Sequence, residues 1–278
     1  MAEKIINKDT EKIRREKLEQ IKKLGIDPYP QVSLRQQTNE EAKEMMDEEV
    51  VVAGRIMGKR GHGKLSFLDV VDETGKIQIF VSQKAVGEDK FELIKLLDIG
   101  DFVEASGKVF KTVAGEISVQ CSNIKILSKA LKPLPSTWFG LKDTEERYRK
   151  RYLDFIINAD SKKIIETRSK IVSEVRNILE EKGFLEIETP TLQPIYGGAN
   201  ARPFKTYYNT LKQDFYLKIS DELYLKRLII GGFEKVFEID HNFRNEGIDA
   251  THSPEFTMME CYWAYADYNQ MMSLTEEI

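Results

Sequence analysis

KVFEIDHNFR (235–244), NEGIDATHSP (245–254) and EFTMMECYWAY (255–265) form the stretch on which the reading of this chain turns. Both flanks alternate with period two around a charged loop, which predicts two strands. Alternation places Glu238, Asp240, Asn242 and Arg244 on one face of the first strand, and Phe256, Met258, Glu260 and Tyr262 on one face of the second. Paired antiparallel, these faces make a single polar floor. An arginine, carboxylates, a phenol and an aromatic ring are costly to bury together without a ligand, because unpaired charge in a core is strongly unfavourable. A partly solvated sheet face carrying ion pairs satisfies the same pattern.

Upstream, Ile164, Ile165, Ile171, Val172, Val175, Ile178 and Leu179 recur at helical spacing over 161–182, and Gly183 ends the run. FLEIETP (184–190) reads as a strand, followed by a loop with Gly197 and Gly198, strands near 203–208 and 214–219, and a short helix after Ser220 and Asp221. The chain closes in a helical start at DYNQMMSLTEEI, which leads to the expectation of a fragment.

From Val50 to about Ser128 the period is again two: VVVAGRIM, LSFLDVVD, KIQIFVS, DFVEASGKVF and EISVQCSNIKIL, with a helical stretch around FELIKLL between the third and fourth. Five short strands in that order predict an OB-type β-barrel, a fold whose open face binds single-stranded nucleic acid; another small β-barrel fits the spacing too. GHG (61–63) reads as a hairpin turn, not a phosphate loop. The fold class is therefore α+β, with a five-stranded barrel at 50–135 and an antiparallel sheet with flanking helices at 151–278. Residues 1–49 supply a helix, predicted to start at a Thr10 cap with Ile13, Leu18, Ile21 and Leu24 as its apolar stripe, and an acidic connector. Its basic residues Arg14, Arg15, Lys22 and Lys23 read as a solvated face, with RNA contact as the second reading. Residues 136–150 form a linker within the basic stretch 129–151, which has seven Lys or Arg against three Asp or Glu.

These 278 residues suffice for two domains of ~100–200 each. With 41% apolar and 32% charged residues, no run approaches the ~18 apolar residues of a membrane helix. The amino terminus lacks a secretory pattern, so a cytoplasmic location is expected. Cys121 and Cys261 stand alone, in no disulfide framework or zinc spacing. A net charge of −4 means that a polyanionic partner must be met by a local basic face.

FRNEG (243–247) with SPEFTMMECYWAYADY (253–268) closely resembles motif 2 of the class II aminoacyl-tRNA synthetases. The 161–182 helix with FLEIETPTL, including Pro190, resembles their motif 1, the dimer-forming helix and strand. IYGGANARPF (195–204) and SDELYLKRLIIGGFEKVFEI (220–239) narrow the resemblance to class II lysyl-tRNA synthetases, which place an OB-fold anticodon-binding domain ahead of the catalytic one. The resemblance runs from the first helix to the last residue. It implies an ATP-dependent lysine–tRNA ligase acting as a cytoplasmic homodimer, with lysine, ATP, Mg²⁺ and tRNA(Lys) as its partners. Arg244 would bridge the α-phosphate and the lysine carboxylate. Glu246 would hold the adenine side, His252 would approach the γ-phosphate and Phe256 would stack on the adenine. Glu222 and the carbonyl of Gly198 would take the α-amino group, and Glu260 with Tyr262 the side-chain ammonium. In the barrel, Arg60, Phe67 and Gln78 would read the uridine-rich anticodon.

Taken singly, Glu222 is also a dipole-favoured acid at a helix start, His252 a loop residue, Phe256 a core ring and Phe67 a barrel-core ring. Motif 3 is absent, as are the carboxylates implied to hold Mg²⁺, so no metal ligand is assigned. The expectation is that lysine-dependent exchange is negligible for these residues alone and present in an extended chain. Two alternatives stand beside the ligase: an aspartyl- or asparaginyl-type synthetase, and a non-catalytic tRNA-binding relative. The enzyme that attaches lysine to an elongation factor lacks a barrel.

Overall fold

The computed structural model describes residues 2–135, 141 and 143–278, with side chains from Thr10 onward. Much of the predicted linker, 136–140 and 142, lies outside the described residues. The chain divides into two compact units, Met1–Asn158 and Ala159–Ile278.

The first unit contains α1 (Ala2–Lys23), α2 (Asn39–Glu44), β1 (Glu49–His62), β2 (Leu65–Val71), β3 (Lys76–Ser82), α3 (Gln83–Val86), α4 (Glu88–Leu96), β4 (Phe102–Lys111), β5 (Ile117–Ser128), α5 (Thr144–Arg149) and α6 (Arg151–Ile157). Strands β1–β5 close into a barrel in the order β1-β2-β3-β5-β4. Closure depends on β1, which pairs with β4 through Glu49–Arg55 and with β2 through Arg55–His62, its register shifting between Ile56 and Gly58. Period two then sorts the faces: Val50, Val52, Leu68, Val70, Ile77, Ile79 and Val81 fill the interior. Gly63 makes the β1–β2 turn at φ 59°, as GHG predicted. Thr38 caps α2 in a reciprocal capping box with Glu41.

The amino-terminal helix departs from expectation. It runs through Thr10, which is therefore no cap. Leu18 and Ile21 are buried, but Ile13 and Leu24 are exposed. Arg14 is buried and donates to the carbonyls of Ile99 and Ala130, both at 3.0 Å, so it anchors the helix to the segments before β4 and after β5. Lys129, fully buried, bridges Asp98 at 2.6 Å and Asp101 at 2.8 Å.

Lys59 donates to the carbonyls of Ile94 at 2.6 Å and Leu97 at 2.7 Å, closing the carboxyl end of α4. Burial pulls its ammonium pKa down to about 8. The unfolded chain, with lysine near ~10.4, then holds the extra proton between those values, so this group's contribution to stability rises with pH across that window. The difference in urea-unfolding free energy, wild type minus Lys59→Met, is expected to grow from pH 8 toward pH ~10; a flat difference would refute the assignment.

The second unit contains α7 (Ala159–Glu181), β6 (Leu185–Glu186), β7 (Leu192–Gln193), β8 (Lys205–Tyr208), β9 (Gln213–Leu217), α8 (Glu222–Ile230), β10 (Lys235–Phe243), β11 (Glu255–Trp263) and α9 (Tyr268–Glu277). The antiparallel β10–β11 pair is extended by β6, which runs parallel to β10. A small β7-β9-β8 sheet stands beside it. β11 ends short of its predicted limit at Tyr265, whose φ of 66° leaves the extended region. The odd face of β10–β11 carries Phe237, Ile239, Met259, Cys261 and Trp263, packed with Val175 and Leu179 of α7 and Leu274 of α9. Only the carboxyl end of the α7 stripe is used there. Ile164, Ile165 and Ile171 remain exposed among the described residues. No helix among the described residues is long and apolar enough to cross a membrane.

Candidate functional site

The β10–β11 register sets Glu238 opposite Glu260, Asp240 opposite Met258 and Asn242 opposite Phe256. The even faces of the two strands therefore form the polar floor, with α8 packed against both. At its centre sits a lysine that the sequence did not single out. Lys218, directly after β9, is fully buried; its Nζ lies 2.9 Å from Glu238 Oε1, 3.1 Å from Asp221 Oδ1 and in contact with Asp240. Thr189 adds a main-chain and a hydroxyl donor to Glu238, at 2.8 and 2.7 Å, and Asn242 reaches toward Asp221. Burial pushes the Asp221 carboxyl up even with Lys218 beside it. YLKIS reads as an ordinary strand end, and only the surrounding carboxylates on the floor could have flagged Lys218.

Asp221 leads to the next group. Its N–H and the Ser220 hydroxyl donate to Glu260 Oε1 at 3.3 and 2.6 Å, while the Tyr262 hydroxyl donates to Glu260 Oε2 at 3.2 Å. Burial, then the charges of Glu260, Glu222 and Asp221, push the Tyr262 phenol up. Gly198 completes the group at φ 87°, where a Cβ would stand 2.7 Å from Glu222 Cβ and 2.6 Å from Ser220 Oγ. Gly198, Glu222, Glu260 and Tyr262 are thus brought together. Glu222 is half-buried and pairs with Lys226 of its own helix at 2.7 Å, as a first-turn acid also does. An acidic group of this kind suits a cation.

Beyond β10, Arg244, Glu246, His252 and Phe256 share the lining of one cleft of about 640 Å³ with Asp249 and Thr251. The Arg244 guanidinium lies 5.1 Å from the Phe256 ring centroid, and its buried Nε has no partner among the described residues. Such an orphan donor beside an aromatic ring suits an anionic, planar ligand. Phe256 is half-exposed here and not part of the core. Glu246 Oε1 accepts from Arg202 N at 3.2 Å. His252 is exposed, with Nδ1 2.8 Å from both oxygens of Asp249.

On the barrel, Arg60 pairs with Phe67 and Phe67 with Phe80 across β1, β2 and β3. Phe67 lies outside the barrel core, half-buried, its ring 5.1 Å from that of Phe80, which in turn lies 6.0 Å from Phe110. Arg60 is exposed and bonded to Asp69 at 3.0 Å. Gln78, opposite Asp69, is buried and accepts from Ser118 at 3.0 Å. Phe80 and Phe110 extend an aromatic row that the sequence reading left at Phe67.

The fold agrees with the family comparisons. Residues 143–278 match the class II tRNA synthetase family (D, K and N), and residues 50–127 match the OB-fold nucleic acid binding domain. The chain is similar to curated lysine–tRNA ligases. The one from Carboxydothermus hydrogenoformans is 52% identical over 271 residues, 96% of this chain and 56% of the relative. That from Pelotomaculum thermopropionicum is 54% identical, over 96% of this chain and 54% of the relative. That from Syntrophomonas wolfei is 50% identical, over 100% and 57%. The chain spans about half the length of the curated relatives it matches.

The Mg²⁺ implied for this family has a clear test here. Among the described residues, Asp221, Glu238 and Asp240 are the carboxylates close enough to share an ion. The Lys218 ammonium already lies among their oxygens, so the trio does not fit the metal.

Proposed function

We propose that this chain carries the tRNA-anticodon barrel and the amino-acid and nucleotide sites of a lysine–tRNA ligase, with domains at 1–49, 50–135, 136–150 and 151–278. The observation that carries the reading is the convergence of Glu222, Glu260 and Tyr262 at one end of a floor whose continuation holds Arg244 and Phe256. Lysine has two ammonium groups. Glu222 with the Gly198 carbonyl takes the α-amino group, and Glu260 with Tyr262 the side chain. The lysine carboxylate then attacks the α-phosphorus of ATP, and the bond to pyrophosphate breaks. Two anions must meet for this, so the site needs positioning and positive charge more than a base. Arg244 supplies both, its planar fork bridging carboxylate and phosphate. Phe256 stacks on adenine, Glu246 holds the adenine side and His252 meets the γ-phosphate. Mg²⁺ enters as the counter-ion of ATP, with no ligand assigned. The protein acts in the cytoplasm as a homodimer, a reading supported by the exposed Ile164, Ile165 and Ile171 of the motif 1 helix.

In a thermal-shift panel, lysine is expected to raise the melting temperature and aspartate and asparagine to leave it unchanged, because Glu222 and Glu260 repel an acid. Stabilisation by aspartate would end the lysine reading in favour of the sister enzymes. On the barrel, Phe67→Ala is expected to weaken binding of a uridine-rich stem-loop by ~1–3 kcal/mol, about 5- to 150-fold, for loss of one stacked base. Unchanged affinity would move the RNA site off this face.

A further inference from the structure

We propose that Asp249 is a positioning residue for the terminal phosphate of the nucleotide, acting through His252; this rests on the reading of the Arg244–Phe256 cleft as an ATP site. Asp249 Oδ1 accepts from the main-chain N–H groups of Thr251 and His252, both at 2.8 Å, and from the Thr251 hydroxyl at 3.0 Å. Both its oxygens lie 2.8 Å from His252 Nδ1. The Asp249 N–H in turn donates to the His252 carbonyl at 3.2 Å. The four-residue turn is thus tied to one carboxylate, and the imidazole is fixed by the nitrogen nearer the chain.

That attachment has a chemical consequence at the other nitrogen. With Nδ1–H directed at a carboxylate, Nε2 of the neutral ring is an acceptor, which a phosphate oxygen repels. The protonated ring instead offers Nε2 as a charged donor, so the direction in which Asp249 turns that nitrogen decides what it can reach. Asp249 can play this part because it stays ionised. Its pKa is held at about 2, first by the Thr251 N–H and then by His252. Asp249 therefore sets the orientation of the His252 ring and the direction in which Nε2 faces. A triphosphate gains from this arrangement, and a monophosphate, too short to reach the loop, does not.

The test measures ATP and AMP affinities by calorimetry for the wild type, Asp249→Asn and His252→Ala, at pH ~6 and ~8.5, on either side of the usual imidazole range. Asparagine keeps an oxygen for the main-chain donors and loses the charge. ATP is expected to bind Asp249→Asn about 5- to 10-fold more weakly at the lower pH, the scale of one charge-assisted hydrogen bond in a wet cleft, with AMP affinity unchanged. The preference for ATP over AMP should be smaller in Asp249→Asn than in the wild type at both values. Equal weakening of ATP and AMP would make Asp249 only a loop organiser and overturn the proposal, as would an unchanged ATP affinity. If His252→Ala keeps the wild-type ATP preference, the phosphate contact is elsewhere and the proposal falls while the nucleotide site stands. A wild type that binds neither nucleotide overturns the site itself and the proposal with it.

Discussion

Replacement of Arg244 by lysine is expected to lower lysine-dependent ATP–pyrophosphate exchange by about 10²–10³-fold in the intact gene product, with lysine affinity little changed. The size follows from what the guanidinium does. Among the described residues its buried Nε–H has no partner, and its Cζ lies 5.1 Å from the Phe256 ring centroid. A donor left unsatisfied in the resting protein is costly, and the cost is recovered when a phosphate oxygen arrives. Lysine keeps the charge but loses the fork, so it can neutralise one anion and cannot align two. On the proposed reading lysine is held by Glu222, Glu260 and Tyr262, away from Arg244, so a lysine-binding measurement separates the two halves of the site. Exchange within threefold of wild type would show that charge alone suffices and would remove the bridging role.

Lys218→Met carries the largest expected effect on stability. Removing the ammonium leaves Asp221, Glu238 and Asp240 facing one another with no cation. Loss of one partner from a buried ion cluster costs about 3–5 kcal/mol. The sign of the pH dependence identifies the cause. In the variant the carboxylates take up protons more readily folded than unfolded, so stability is gained as pH falls. Asp221 is already pushed up by burial and should respond first. Urea unfolding should therefore show the deficit against wild type narrowing between pH ~7 and ~5. A deficit constant over that range would assign the loss to packing of the lysine stem instead.

The same cluster marks the limit of what the sequence reveals. The polar floor was legible because period two is unambiguous: the side chains sharing a face are fixed by alternation, while the pairing of Glu238 with Glu260 came from the structure. The barrel was legible for the same reason, through its five alternating runs. Lys218 was not, because a lysine at a strand end is ordinarily solvated, and its burial depends on carboxylates brought in from the α8 start and from β10. Arg14 was missed likewise, as its carbonyl partners lie far along the chain. Thr10 misled through a valid local signal, overridden by a helix that continues through it. The pairing of β6 with β10 spans only two residues, too short a run to declare a direction.

Because β1 serves two neighbours and the last strand bonds back to the first, the amino-terminal barrel leaves no row of main-chain donors waiting for a companion. A module complete in that sense can be cut out, joined to unrelated neighbours or passed between genes without exposing an adhesive rim. Its aromatic row of Phe67, Phe80 and Phe110 then travels with it, and on the proposed reading the recognition of a nucleotide triplet can evolve on a schedule separate from the chemistry of charging.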